Sequence, residues 1–372
     1  MPSRRELLGQ VAGIVAGITL TGCGSTSSNK PSDWRPGPGD ASKTRLPVMV
    51  AGRRVRTIDV HAHCYVPEAL ALMGADANGV LPPVKGQKEH FIVVADRLAA
   101  MDAMGIDVEV LSINPFWYRR ERANADAIVR LQNTKMSELC VASGQRFQFF
   151  ASLSLQFPEL AIAQLEDAVK LPGMRGVAIG GSVAGTEFSD PMFHPVWARA
   201  EQLGVTLFIH PQSTPELAKR FKGNGWMSNV VGNPLDTTIA LQHLIYEGVL
   251  DKFPSLKVCA AHGGGYLGSY APRMDFSCFV SPVNCDASIV LKMKPSEYIR
   301  KIYFDALVFT PEALRHLVAE VGASQVVMGT DFPIPWELHP VDHVFNTPTL
   351  SESDQVAILG GNAARMLGLP AL

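Results

Sequence analysis

Eight short apolar runs, rich in β-branched residues and separated by longer amphipathic stretches, pace this chain from Val55 onward. They are Val55–Val60, Asp107–Ile113, Phe147–Leu153, Gly176–Ile179, Val205–Ile209, Lys257–Ala261, Ile302–Phe304 and Gln325–Met328. Runs this short and this apolar suit strands covered on both faces, as in a parallel sheet. The stretches between them carry apolar residues on one helical side, as in Asp96–Met104 with Leu98, Met101 and Met104. Ala161–Leu171, Pro195–Leu203, Thr237–Leu250 and Pro311–Val321 follow the same pattern. Eight β-then-α units predict an α/β fold, a (β/α)₈ TIM-type barrel. The rival, a doubly wound open sheet, calls for a glycine-rich phosphate turn after its first strand, where this chain has Asp59-Val60-His61-Ala62-His63. With 47% hydrophobic and 18% charged residues, the 372-residue chain can bury one large core, so residues 47–372 are expected to form a single domain.

The segment before that domain is read separately. Ser3-Arg4-Arg5-Glu6-Leu7-Leu8 is a twin-arginine start, and the uncharged run from Leu7 to Gly22 has 16 residues. That falls short of the roughly 20 needed to span a bilayer. It ends in Leu20-Thr21-Gly22-Cys23, which resembles a bacterial lipobox. Residues 1–23 are therefore expected to be a twin-arginine, lipoprotein-type signal, and 24–46, rich in Ser, Pro, Gly and Lys, a flexible linker. An ordinary secretory signal or an unprocessed anchor are the alternatives. The expectation is an exported protein, periplasmic or in the cell envelope, touching membrane only through a lipid. A net charge of −2, from 33 Lys and Arg against 35 Asp and Glu, offers no footprint for nucleic acid. Beyond Cys23 the cysteines are Cys64, Cys140, Cys259, Cys278 and Cys285, without a CxxC pair. A disulfide framework is not expected; Cys278 and Cys285 could pair in an oxidising compartment, but free buried thiols are the simpler expectation.

Four polar motifs fall where strands end. His61 and His63 flank Ala62, and alternate residues of a strand share a face, so the two imidazoles should point into the barrel mouth together. His210 closes the fifth run, His262 follows the sixth before three glycines, and Asp331 follows the eighth. A lone histidine near a strand is usually a hydrogen-bonded core residue. Four ionisable groups at one rim are another matter, because burying them costs several kcal/mol unless they pair or bind a metal. His61, His63, His210 and Asp331 are thus candidate ligands for one divalent ion. His194, His243, His316, His339 and His343 lie on helices or connecting loops and carry no such expectation.

With these residues in view, the chain from about Val55 to Leu369 resembles the amidohydrolase superfamily, in the branch of aminocarboxymuconate-semialdehyde decarboxylase and related aromatic-acid decarboxylases. The resemblance extends to Met101-Asp102 with Gly105-Ile106, to Lys252-Phe253-Pro254-Ser255-Leu256-Lys257, to Phe304-Asp305-Ala306-Leu307 and to Gly361-Asn362-Ala363. It implies that His61, His63, His210 and Asp331 bind zinc, with manganese as the other option, and that His262 acts on the bound water or the substrate. Bottom-up chemistry agrees: three imidazoles and a carboxylate leave a position open, the ion lowers the pKa of water toward ~7, and a nearby unligated histidine can shuttle the proton. Asp331 can take part in the relay. Binuclear members carry a bridging lysine or carboxylate after strand four, where this chain has Arg175-Gly176-Val177-Ala178-Ile179-Gly180-Gly181, so one metal is expected.

The resemblance also implies that Arg273 reaches the site of a neighbouring subunit, hence a homodimer acting on a small carboxylic acid; a local ion pair on a helix surface is the plainer alternative. Two departures bear on the substrate. Leu81–Val94, where the decarboxylase has a carboxylate-binding arginine, holds Lys85, Lys88 and His90 instead, and lysine cannot make the two-pronged contact. Gln212 stands where the family has tryptophan after the histidine. The expected activity is nonoxidative decarboxylation of a hydroxylated aromatic or unsaturated acid. A hydrolase of an ester, lactone, amide or C–C bond is the alternative, and a binding lipoprotein without turnover the third reading. Asp305 could line the pocket or tie a loop; Trp226 and Trp336 could wall the pocket, with packing the plainer expectation for either.

Overall fold

The computed structural model describes residues 47–82, 94–212 and 215–370. The signal and linker readings, and Lys85, Lys88 and His90, lie outside the described residues. Eight parallel strands form one sheet: β1 (Ile58–His63), β2 (Val108–Ser112), β3 (Phe147–Ala151), β4 (Met174–Ile179), β5 (Thr206–Ile209), β6 (Lys257–Ala260), β7 (Tyr303–Asp305) and β8 (Val326–Val327). Each strand pairs with the next in sequence, for example Thr206 opposite Lys257 through Ile209 opposite Ala260. The edges meet where Val60 N donates to Met328 O at 3.0 Å and Asp331 N to His61 O at 2.7 Å, with a further bridge between Ala62 and Phe332. The sheet therefore curls into a nearly closed barrel, and the doubly wound alternative is excluded.

Helices fill the connections. Those that matter below are α1 (Val94–Met104), α2 (Arg122–Ala142), α3 (Pro158–Ala168), α4 (His194–Leu203), α5 (Asn233–Tyr246), α6 (Leu267–Met274), α7 (Pro311–Val321) and α8 (Asn362–Leu367). α7 has the bounds read from sequence, with Thr310 accepting from Ala313 N as its cap. The helix expected over Thr237–Leu250 instead stops at Tyr246, because Gly248 takes a φ of 71° before a short turn Val249–Lys252. Among the described residues no helix is long and apolar enough to cross a membrane.

One apolar cluster takes residues from nearly every strand, including Val60, Val110, Phe150, Ala178, Phe208, Cys259 and Val327, and is joined by α8. Side chains from opposite walls meet only inside a barrel, so this is its interior. The β1–β2 pairing slips between Asp59 and Ala62. That irregularity shifts the phase of β1, so Val60 joins the inner cluster while His61 still packs against inner Phe208, ring centroids 5.2 Å apart. A bulge thus steers the histidine pair.

Cys64, Cys140 and Cys259 are free and buried, as expected. Cys278 and Cys285 are not: they form a disulfide, with Cα atoms 5.7 Å apart. The turn Pro282–Asn284 between them folds the chain back and brings the two thiols together, which spacing alone did not reveal.

Candidate metal centre

The carboxyl end of the barrel gathers the residues picked from sequence. One donor atom from each of His61, His63, His210 and Asp331 lies within 4.8 Å of the others. Asp331 Oδ1 is 2.8 Å from His63 Nε2, 3.2 Å from His61 Nε2 and 4.0 Å from His210 Nε2. The Nε2 atoms of His63 and His210 are 3.2 Å apart. Among the described residues this is the one such cluster, and β4 contributes no ligand to it.

Each ring is aimed by its other nitrogen. His61 Nδ1 lies 2.6 Å from Asp305 Oδ2, and a carboxylate there accepts Nδ1–H and leaves the Nε2 lone pair facing inward. Ser112 Oγ donates to Ala62 O at 3.2 Å, so its lone pairs are free to accept from His63 Nδ1 at 3.1 Å. Asp305 does more than line the pocket. Its oxygens accept from His262 N at 2.9 Å, Gly263 N at 2.8 Å and Leu307 N at 3.1 Å, which ties the turn after β6 to His61.

A second buried carboxylate, overlooked in the sequence, shapes the turn after β8. Asp59 accepts from Thr330 Oγ1 at 2.6 Å, Thr330 N at 3.2 Å and His61 N at 2.9 Å. The signal was its place two residues before His61. Gly329 is required there, since a Cβ would fall 2.8 Å from Asp305 Cβ and 2.9 Å from His61 Cβ. Asp331 then adopts a φ of 63°, a strained conformation that costs on the order of 1–3 kcal/mol and persists where neighbours over-determine it.

The electrostatics ask for a cation. Burial pushes the imidazoles of His63 and His210 down, His210 well below the usual range as the neighbouring rings add to the effect. Burial acts the same way on His61, yet the Asp331 and Asp305 carboxylates outweigh it and raise that ring to about 10. For Asp331, burial works upward but His61 and His262 hold it well below the ordinary carboxylate range. His61 Nε2 and Asp331 Oδ1 are buried and neither has a well-formed hydrogen bond. Unsatisfied buried atoms cost roughly 1–3 kcal/mol each, and a divalent ion between them removes that cost. The donor set fits a metal.

His262 stands beside this set rather than within it. Its Nε2 is 3.9 Å from Asp331 Oδ2, its ring centroid is 5.1 Å from that of His61, and Nδ1 is buried without a partner. A φ of 57° turns it there. Arg273 is not brought to the cluster. It is exposed on α6 and lines a groove of about 1400 Å³ with Tyr246, Tyr270, Val280 and Ile289, none of them a ligand. Trp226 and Trp336, expected to pack, do stack on each other in loops past β5 and β8 with centroids 6.0 Å apart, and Trp336 packs against the main apolar core.

The Amidohydrolase family profile matches residues 58–369, well over half of the chain. The chain belongs to the amidohydrolase family. Among similar proteins, 2-amino-3-carboxymuconate-6-semialdehyde decarboxylase of Dictyostelium discoideum is 33% identical to this amidohydrolase, covering 73% of the chain and 76% of the relative. A solved 2,6-dihydroxybenzoate decarboxylase, complexed with 2,6-dihydroxybenzoate, superposes with a TM-score of 0.75 at 26% identity, over 85% of this chain and all (100%) of that one. A dihydroxybenzoic acid decarboxylase from Polaromonas sp. JS666, solved with bound manganese and 2-nitroresorcinol, gives a TM-score of 0.74 at 25% identity, over 84% and 97% of the two chains.

Proposed function

We propose that this amidohydrolase is a metal-dependent nonoxidative decarboxylase of a hydroxylated aromatic or unsaturated carboxylic acid. The observation that carries the reading is an unligated His262 poised beside a His61, His63, His210 and Asp331 cluster built for one divalent ion. The decarboxylase relatives support the choice of reaction. Three imidazoles and a carboxylate accept zinc or manganese, and the Polaromonas relative holds manganese. Bound there, the ion would supply a Lewis acid for the carboxylate and hydroxyl oxygens of the substrate.

The chain's own residues move the proton. His262 delivers it to the carbon that bears the carboxylate; the bond to the carboxylate then breaks, its electron pair stays on the ring, and CO₂ leaves. A proton from solvent then recharges His262, and the Asp331 carboxylate, with Oδ2 3.9 Å from His262 Nε2, stabilises the imidazolium that carries it. Asp305 holds the His262 backbone while this happens.

A homodimer completes this reading. Arg273 faces a groove beside exposed Tyr270, Phe276, Phe279 and Val280, a surface suited to a second copy whose site the arginine would enter. Export through the twin-arginine route, with lipid attachment at Cys23, belongs to the same proposal. The Cys278–Cys285 disulfide supports it, because such bonds persist in oxidising compartments.

The decisive experiment assays hydroxybenzoic acids for CO₂ release in the wild type and in His262→Gln. The variant should retain one metal ion per chain and lose about 10²–10⁴-fold in turnover. Hydrolysis of an ester or amide without CO₂ release from any acid would replace this reading with a hydrolase.

A further inference from the structure

The loop after β2 carries neighbouring arginines with different fates. Arg120 pairs with Asp76 at 2.6 Å. Arg119 is exposed and forms no hydrogen bond or ion pair with any described residue. It lines a cavity of about 140 Å³ together with Pro115, Phe116, Tyr118, Gln212 and Asp236. A cavity of roughly 150 Å³ accommodates benzene, so this one has room for about one six-membered ring or a carboxyl-bearing arm.

Position ties the cavity to the metal cluster. Its walls come from the loops after β2, β4 and β5, all at the carboxyl rim, with Asp236 from the first turn of α5, and Gln212 leaves β5 just beyond His210. Phe116 stacks on Tyr65, centroids 6.5 Å apart, and Tyr65 follows closely on His63. The lining is also polar where polarity is costly. The Tyr118 hydroxyl is buried, has the Gly180 backbone as a polar neighbour, and makes no well-formed hydrogen bond. An unsatisfied hydroxyl inside a cavity wall is a donor in want of an acceptor.

We propose that this cavity seats the part of the substrate that points away from the metal cluster, and that Arg119 and Tyr118 select acids bearing a second carboxylate. Arg119 is thus a specificity-determining residue, and it supplies a two-pronged carboxylate contact of the kind that Lys85 and Lys88 cannot make. The role in catalysis rests on the decarboxylase reading; the binding preference does not. Acidic neighbours do not cancel the site. Asp236 is pushed up to about 7, chiefly by burial, which lessens its negative charge near neutrality. Glu216, whose Oε1 would lie 3.9 Å from a Cβ on Gly185, is exposed, and water and salt screen it.

Calorimetric titration of the manganese-loaded full chain with benzoate and isophthalate tests this directly. Isophthalate should bind at least about tenfold more tightly, the scale of a charge-assisted hydrogen bond. In Arg119→Gln that advantage should vanish, while benzoate affinity and manganese content stay as in the wild type; Tyr118→Phe should reduce it in part. Equal affinity for the two acids in the wild type, or an advantage that survives Arg119→Gln, overturns the proposal. So does a preference for 3-(aminomethyl)benzoate, which would assign the cavity to Asp236 and Glu216. Isophthalate bound through Arg119 in a protein that releases CO₂ from no acid would sustain the site and sink the decarboxylase reading alone.

Discussion

The Nδ1–H of His61 meets Asp305 Oδ2 across 2.6 Å, and that contact fixes the tautomer that leaves Nε2 open to a metal. Asp305 also accepts from the backbone N–H groups of His262, Gly263 and Leu307. An asparagine offers one oxygen where the carboxylate offers two, and its amide N–H₂ would face donors. Asp305→Asn should therefore weaken metal affinity about 10–100-fold while the fold survives. Chelator competition monitored by metal release checks this; unchanged affinity would show that His61 is oriented by packing alone.

α1 is fastened to the barrel by charge. Arg97 Nε sits 2.5 Å from Glu109 Oε2 on β2, both side chains almost fully buried. The same guanidinium donates to Phe332 O at 3.3 Å and lies over the Phe332 ring, 5.1 Å from its centroid, next to Asp331. Burial drives the Glu109 carboxyl upward, and Arg97 is its main counterweight. Arg97→Met leaves that acid uncompensated and should cost roughly 3–5 kcal/mol of stability, read as a lower urea midpoint. The double variant Arg97→Met/Glu109→Gln should recover a large part of the loss. If it does not, the ion pair matters less than the shape of the arginine.

At the scale of the whole molecule, the chain between β6 and β7 is unlike the rest. Phe279 is 84% exposed and Val283 90% exposed, both on the loop that the Cys278–Cys285 bond closes. Monomeric proteins seldom present such side chains together. Light scattering should report the mass of two chains for the wild type and of one for Phe279→Asp/Val283→Asp, with metal content unchanged. A monomeric wild type would return Arg273 to the role of a surface residue.

Local pattern was enough for the architecture and for most of the site. Short, nearly continuous apolar runs set eight strands in order, and strand ends at His61, His63, His210 and Asp331 marked the rim, because barrel topology sends every strand end to one face. Pattern was mute where the cause is long-range. Asp59 gains its role from Thr330 far along the chain, as does the hold of Asp305 on His61, Cys278 meets Cys285 only once a turn folds back, and Arg119 matters through a cavity walled by three loops and a helix. The phase slip in β1 is likewise set by the neighbouring strand. Periodicity records what each residue buries locally; which groups share a volume of space is decided by closure of the sheet.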